Sequence, residues 1–226
     1  MKPTNNSDRQ LAVRILLLIC GLLLISFGVA VFNKANLGFD PFMAFDSGAS
    51  KTLGISLGAA HILINLALLV LYLLLRKKKY INIGTLLALT ITGPFIDIFT
   101  KLLNLAVRDE LLLAVRISLV IFSCPLIGLG VYLYTGVRIG AGPNDLAAVI
   151  LSDMTHKPYG LIRVLVDGLW LVFGVVLGGT IGIGTLFSLC FVGCSVQLWL
   201  KLKLFANFLP HDGSSCEEAQ SFLKLI

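Results

Sequence analysis

At 226 residues, 57% hydrophobic and only 13% charged, with a mean hydropathy of +0.94, the chain is too apolar for a soluble domain. The net charge of +6 is not a nucleic-acid footprint, because the basic residues follow the loops between apolar runs. Five cysteines, four of them inside those runs, imply no disulfide framework; no phosphate-binding glycine loop, Ser-His-Asp set or zinc motif occurs, so neither an enzyme nor a cofactor or metal site is expected.

In chain order the apolar runs are 11–33, 56–75, 81–101, 111–135, 159–178 and 182–205. Each has about the ~20 residues needed to cross ~30 Å of hydrocarbon as a helix. The first is too long for a signal peptide, lacks a small-x-small cleavage site before Asn33, and is matched by the fourth, so it reads as an uncleaved span. The second ends in Arg76-Lys77-Lys78-Lys79. With a cytoplasmic N-terminus, thirteen Lys and Arg residues fall on the inner side and five on the outer, namely Lys34, Lys51, Lys101, Arg108 and Arg116. That bias predicts both termini on the cytoplasmic side of a bacterial cytoplasmic membrane.

The chain repeats itself. Ala12-Val13-Arg14-Ile15 returns as Ala114-Val115-Arg116-Ile117, 102 positions later, and the same offset pairs Gly28 with Gly130, Gly38 with Gly140, Pro41 with Pro143 and Gly58 with Gly160. Ile83-Gly84-Thr85-Leu86 likewise returns as Ile183-Gly184-Thr185-Leu186. Three spans per copy is an odd number, so the second copy enters from the opposite face. The expected architecture is an all-α polytopic membrane protein with six transmembrane helices in two inverted three-span repeats. Its segments are an N-terminal tail 1–10, a first repeat 11–105, a second repeat 106–206 and a C-terminal tail 207–226.

Between the first two runs of each copy lies a broken segment. Leu37-Gly38-Phe39-Asp40-Pro41 and Ile139-Gly140-Ala141-Gly142-Pro143-Asn144-Asp145 each end one helix and start a short second one, 41–53 and 143–155. Glycine frees the backbone and proline suits a first helical turn. Two readings stand: a tight interfacial turn, or a re-entrant half-helix whose N-terminus faces a protein-walled cavity. At ~1.5 Å per residue a 13-residue helix reaches only ~20 Å and cannot span.

The Gly-x-x-Pro loops, the Gly182-Ile183-Gly184-Thr185 start of the last run and the preceding Gly178-Gly179 resemble the YczE/YyaS/YitT-like family of bacterial integral membrane proteins, most of all its YczE branch, over residues 11 to 205. In that family the second loop commonly reads Gly-Pro-Arg-Asp; here Asn144 stands in the arginine's place and Asp145 is kept. The resemblance implies the architecture and says little of a substrate.

Charged groups in hydrocarbon cost several kcal/mol and need a partner or a role. Arg163 and Asp167 are four apart in the fifth run, and their counterparts at offset 102 are His61 and Asn65, again four apart. Sorting by depth predicts an outer layer of His61, Asp97 and Arg116 and an inner layer of Arg14, Arg163, Asp167 and Gln197, closing alternately about a central cavity. Simpler readings are snorkelling for Arg14 and Arg116, structural pairs of Asp97 with Arg116 and of Asp167 with Arg163, and a helix cap for Asp145. Cys190 with Cys194, and Gly21, Gly28, Gly128 and Gly130, read as small packing residues.

The expected function is secondary transport of a small polar or anionic metabolite, since the run-embedded arginines outnumber the aspartates by three to two. The rival is a membrane accessory protein of a biosynthetic or signalling complex. Expected partners are the lipid bilayer, an unknown small molecule, and a second copy or a membrane partner protein, with no nucleic acid.

Overall fold

The computed structural model describes residues 5–107, 111–137, 139–157 and 159–202; the side chains of 5–10, 159, 160, 190, 193, 197 and 200 lie outside that description. The fold is all-α. Its helices are α1 (Asn5–Ala35), α2 (Pro41–Leu53), α3 (Leu57–Leu74), α4 (Ile83–Ala106), α5 (Leu113–Gly136), α6 (Pro143–Thr155), α7 (Tyr159–Val176), α8 (Ile183–Phe187) and α9 (Gly193–Leu202). A 3-10 turn, Lys78–Tyr80, precedes α4, and a π-helical turn, Ser188–Val192, joins α8 to α9. The last apolar run, expected as one helix over 182–205, is thus interrupted.

Four described helical stretches are long and apolar enough to cross a membrane: Leu11–Ala35, Leu57–Leu74, Ile83–Ala106 and Leu113–Gly136. Their outward faces carry large apolar side chains such as Leu16, Leu66, Leu74, Leu105 and Phe122, and α7 does the same with Val164, Leu169 and Val176. That much exposed apolar surface is stable only against lipid. The protein is a polytopic membrane protein.

Small residues let the helices approach. A Cβ on Gly21 would stand 2.7 Å from the Gly130 carbonyl oxygen, and one on Gly130 equally close to that of Gly21, so α1 and α5 meet at their backbones. Between α3 and α4 the contact is closer still: a Cβ on Gly58 would lie 2.0 Å from the Gly93 oxygen. Contacts of this kind replace hydrophobic burial as the cohesive force inside lipid. The central apolar core gathers Phe32, Phe42, Leu57, Ile96, Val120 and Ile127 from helices α1 to α5 and Phe39 from the loop before α2.

The two halves exchange loops. Gly38, at φ +108, lies in a conformation that side chains resist, and its loop abuts the start of α8, where the Gly184 N–H donates to the Leu37 carbonyl at 2.7 Å. Gly140, at φ +145, does the same at the start of α4, where the Gly84 N–H donates to the Ile139 carbonyl at 3.3 Å. At each junction a threonine closes the turn: the Asn82 N–H donates to Thr85 Oγ1 at 3.3 Å, and the Gly182 N–H to Thr185 Oγ1 at 3.2 Å. Thr85 also donates to the Ala141 carbonyl at 2.7 Å.

Candidate functional site

Helix α3 presents one buried face made of Gly58, His61, Asn65, Leu69 and Tyr72, the three-and-four spacing of a helical stripe. Its polar members each meet a different element. His61 Nδ1 lies 2.7 Å from Asp46 Oδ2, on a buried turn of α2. The carboxylate can only accept, so it holds the proton on Nδ1 and leaves Nε2 to face Asn65 Nδ2 at 3.3 Å. The Asn65 amide also donates to the His61 carbonyl at 2.9 Å, and Asn65 Oδ1 accepts the backbone N–H of Asn144 at 3.2 Å.

That last bond crosses from one half of the chain to the other, and its cause is local. Helix α2 is capped by its own Asp40, whose Oδ1 accepts from the N–H groups of Phe42 and Met43 at 3.1 Å each. At α6 the equivalent N-cap is Gly142, which has no side chain. Asn65 supplies the missing acceptor from α3. Two turns further on, Tyr72 Oη donates to the Pro143 carbonyl at 2.9 Å, so α3 grips the start of α6 twice.

From Asn144 the chain continues. Its Nδ2 donates to Asp145 Oδ1 at 3.4 Å; Arg163 Nη1 donates to the same oxygen at 3.0 Å, and Arg163 Nε to Asp167 Oδ2 at 3.0 Å. The polar run therefore reads Asp46, His61, Asn65, Asn144, Asp145, Arg163, Asp167, across α2, α3, α6 and α7. Asp40, half-buried at the head of α2, lies near enough to Asp46, Asp167 and Arg163 to feel their charges. An aromatic wall of Phe42, Phe45 and Trp170 flanks it: Phe45 stacks on Trp170 at 5.5 Å between ring centroids, and Phe42 stands edge-on to Trp170 at 5.4 Å and to His61 at 5.8 Å. Among the described residues no group of three His, Cys, Asp or Glu is placed to hold a metal.

Several expectations change. Arg163 and Asp167 pair as their spacing implied, and His61 sits beside Asn65. The predicted outer layer of His61, Asp97 and Arg116 does not assemble. Asp97 turns to the start of α3, accepting at 2.8 Å from the Gly58 N–H, one of the otherwise unpaired backbone donors of a helix N-terminus, and also from the hydroxyl of Ser56, the residue that caps α3. Arg116 makes no ion pair among the described residues, and its Nε is buried without a partner there. Arg14 is half-buried at the other end of the bundle from α1's Lys34 and likewise forms no described ion pair, so neither arginine joins the polar run. The side chain of Gln197, placed in the inner layer, lies outside the described residues.

Gly38, Pro41, Gly140 and Pro143 break the chain where expected, and Asp145, in the first turn of α6, binds Arg163 instead of capping. Asp46 and Asp40 were missed. Both sit in the first broken segment, for which an interfacial turn and a re-entrant half-helix were both open, and neither reading marked a particular carboxylate as buried; Asp46 is fully buried. With them counted, the carboxylates around Arg163 and His61 outnumber the bases, which removes the excess of arginine on which an anionic solute was expected.

Three relatives share most of the chain. It is 32% identical over 182 residues to the uncharacterized protein YyaS of Bacillus subtilis (strain 168), covering 80% of this chain and 90% of that one. It is 29% identical over 199 residues to the uncharacterized membrane protein YczE of the same organism, covering 87% and 89%. An uncharacterized protein of Haemophilus influenzae is 25% identical over 196 residues, 87% of each chain. No solved structure matches. The family of unknown function DUF6198 matches residues 12–201, and the chain belongs to it.

Proposed function

We propose that the protein is a secondary transporter of a small polar solute, built of six spans in two inverted three-span repeats with both termini cytoplasmic, and that the solute engages the polar run from Asp46 to Asp167. The observation that carries this reading is the bond from Asn144 to Asn65, which ties a charged cluster of the second half to one of the first. As mere packing such a run is costly, because apolar side chains of similar volume fill a protein interior at no loss of stability. In a transporter a polar seam between repeats is the working part, opening to one side and then the other.

Supporting the inverted arrangement is the reciprocal capping at Leu37 with Gly184 and at Ile139 with Gly84, two contacts of the same kind made by equivalent residues of opposite halves. The buried first turns of α2, from Pro41 to Ala44 and again from Asp46 to Ala49, support the protein-walled reading of the broken segment. No nucleotide-binding loop is present in the sequence, so the drive is an ion gradient or a partner chain.

The test is reconstitution into proteoliposomes, with pooled amino acids, sugars, nucleosides and organic acids offered in turn and charge movement read on a supported membrane. The expected result is a saturable signal from at least one pool that Asp167→Asn abolishes while the variant remains folded and inserted. Silence from every pool with folded wild-type protein overturns the reading and favours the accessory role.

A further inference from the structure

Where α5 ends and α6 begins, three side-chain oxygens surround one point. A Cβ placed on Gly142 would stand 2.9 Å from Asn144 Oδ1, 3.2 Å from Tyr134 Oη and 3.7 Å from Asp145 Oδ2, the three nearest atoms beyond Gly142 and the residues on either side of it. The backbone does not demand glycine there: φ −62 and ψ 154 are open to any residue. What glycine leaves is a notch lined by oxygen.

The oxygens have capacity to spare. Tyr134 is 3% exposed, yet its hydroxyl has no hydrogen-bond partner among the described residues. A buried hydroxyl left so is destabilising, and a ligand in the notch would recover that loss. Asp145 uses Oδ1 for both Arg163 and Asn144, and Asn144 uses its amide nitrogen for Asp145, so Asp145 Oδ2 and Asn144 Oδ1 are the atoms left towards the notch.

We infer that a small monovalent cation, Na+ in the first instance, binds in the notch at Gly142, held by Tyr134 Oη, Asn144 Oδ1 and Asp145 Oδ2. Oxygen-only coordination selects a hard cation. One carboxylate with two neutral oxygens, and the Arg163 guanidinium on the far oxygen of that carboxylate, is too little negative charge for a divalent ion. The N-terminus of α6 by itself repels a cation. Asp145 in its first turn and Asn65 on the Asn144 N–H offset that, and Asp167 adds negative charge on the other side of Arg163. Binding stands on this geometry alone. The ion's role as the coupling ion rests on the transport reading, with loss of the ion loosening the start of α6 from α3.

The experiment is equilibrium binding of radioactive Na+ to the detergent-purified full chain, with choline chloride holding ionic strength constant. Wild type is expected to bind saturably, one ion per chain. Tyr134→Phe and Gly142→Ala are each expected to weaken binding about tenfold or more. Tyr134→Phe also guards against a folding artefact: without Na+ it should unfold at the same temperature as wild type or higher, because a buried unpaired hydroxyl is gone, and with Na+ it should gain less. No saturable binding by folded wild type, or equal binding by both variants, overturns the site. Na+ binding without any solute flux would keep this site and remove transport. Solute flux indifferent to choline replacement, with no Na+ bound, would remove the site and keep transport.

Discussion

Asn65 on α3 accepts the backbone N–H of Asn144 at 3.2 Å and so caps a helix that has no cap of its own. The same amide faces His61, whose other ring nitrogen meets Asp46. One side chain therefore links the start of α6 to the buried pair on α2 and α3, and anything that displaces α6 is felt at Asp46.

Replacing Asn65 by alanine removes an N-cap acceptor and leaves the His61 ring without its second neighbour. A loss of about 1–2 kcal/mol in unfolding stability is expected. Asn65→Asp keeps an acceptor for the Asn144 N–H and should retain the larger part of that stability. Thermal unfolding in one detergent compares the three proteins, and equal midpoints for Asn65→Ala and wild type would show that α6 needs no cap from α3.

The Asp46–His61 pair is buried on both sides, with Asp46 fully enclosed. Removing one partner strands the other, so Asp46→Leu should cost about 3–5 kcal/mol. Adding His61→Phe should cost less than its own single-variant effect, giving a clear coupling in a double-mutant cycle. Strict additivity of the two losses contradicts a paired role.

Two glycines make a matched test of packing. Gly58→Ala drives a methyl into the Gly93 carbonyl and the Asp97 carboxylate, at 2.0 Å and 2.7 Å from the new Cβ, and must push α3 from α4. A cost of about 1–3 kcal/mol or more is expected. Gly168 in α7 has nothing within 4 Å of its Cβ position, so Gly168→Ala should stabilise by about 0.5–1 kcal/mol through helix propensity alone. Opposite signs in one unfolding assay check both.

The two junction threonines should behave alike. Thr85→Val and Thr185→Val each delete the acceptor for a backbone N–H at the start of α4 and α8. About 1 kcal/mol is expected from each. Thr85→Val should be the more costly, since Thr85 also donates to Ala141. Protease resistance of the purified variants orders them; a silent Thr85→Val contradicts the capping role.

The broken loops were legible because glycine and proline carry backbone instructions that need no context: Gly38, Pro41, Gly140 and Pro143 stand where the chain turns. The Arg163–Asp167 pair was legible because four residues is one helical turn. Asp46 was not, because its partner His61 is fifteen residues away on another helix and nothing local marks the carboxylate as buried. Its neighbours Ala44 and Phe45 were the available signal, an aspartate inside an apolar stretch of a short helix. Asp97 was misassigned because depth along a helix gives the layer of a side chain and not its direction. The link from Asn65 to Asn144, across 79 residues, depends on how the halves dock. The π-helical turn at Ser188–Val192 has no glycine or proline to announce it.

The most direct measurement is the thermal midpoint of the detergent-purified protein with pooled metabolites, run in parallel for wild type and Asp167→Asn. A solute at about 100 times its dissociation constant adds ~2.7 kcal/mol to the folded state. If the run from Asp46 to Asp167 is the solute site, at least one pool raises the wild-type midpoint and leaves that of Asp167→Asn where it was. A pool that stabilises both proteins equally would contradict it, since the solute would then bind somewhere else.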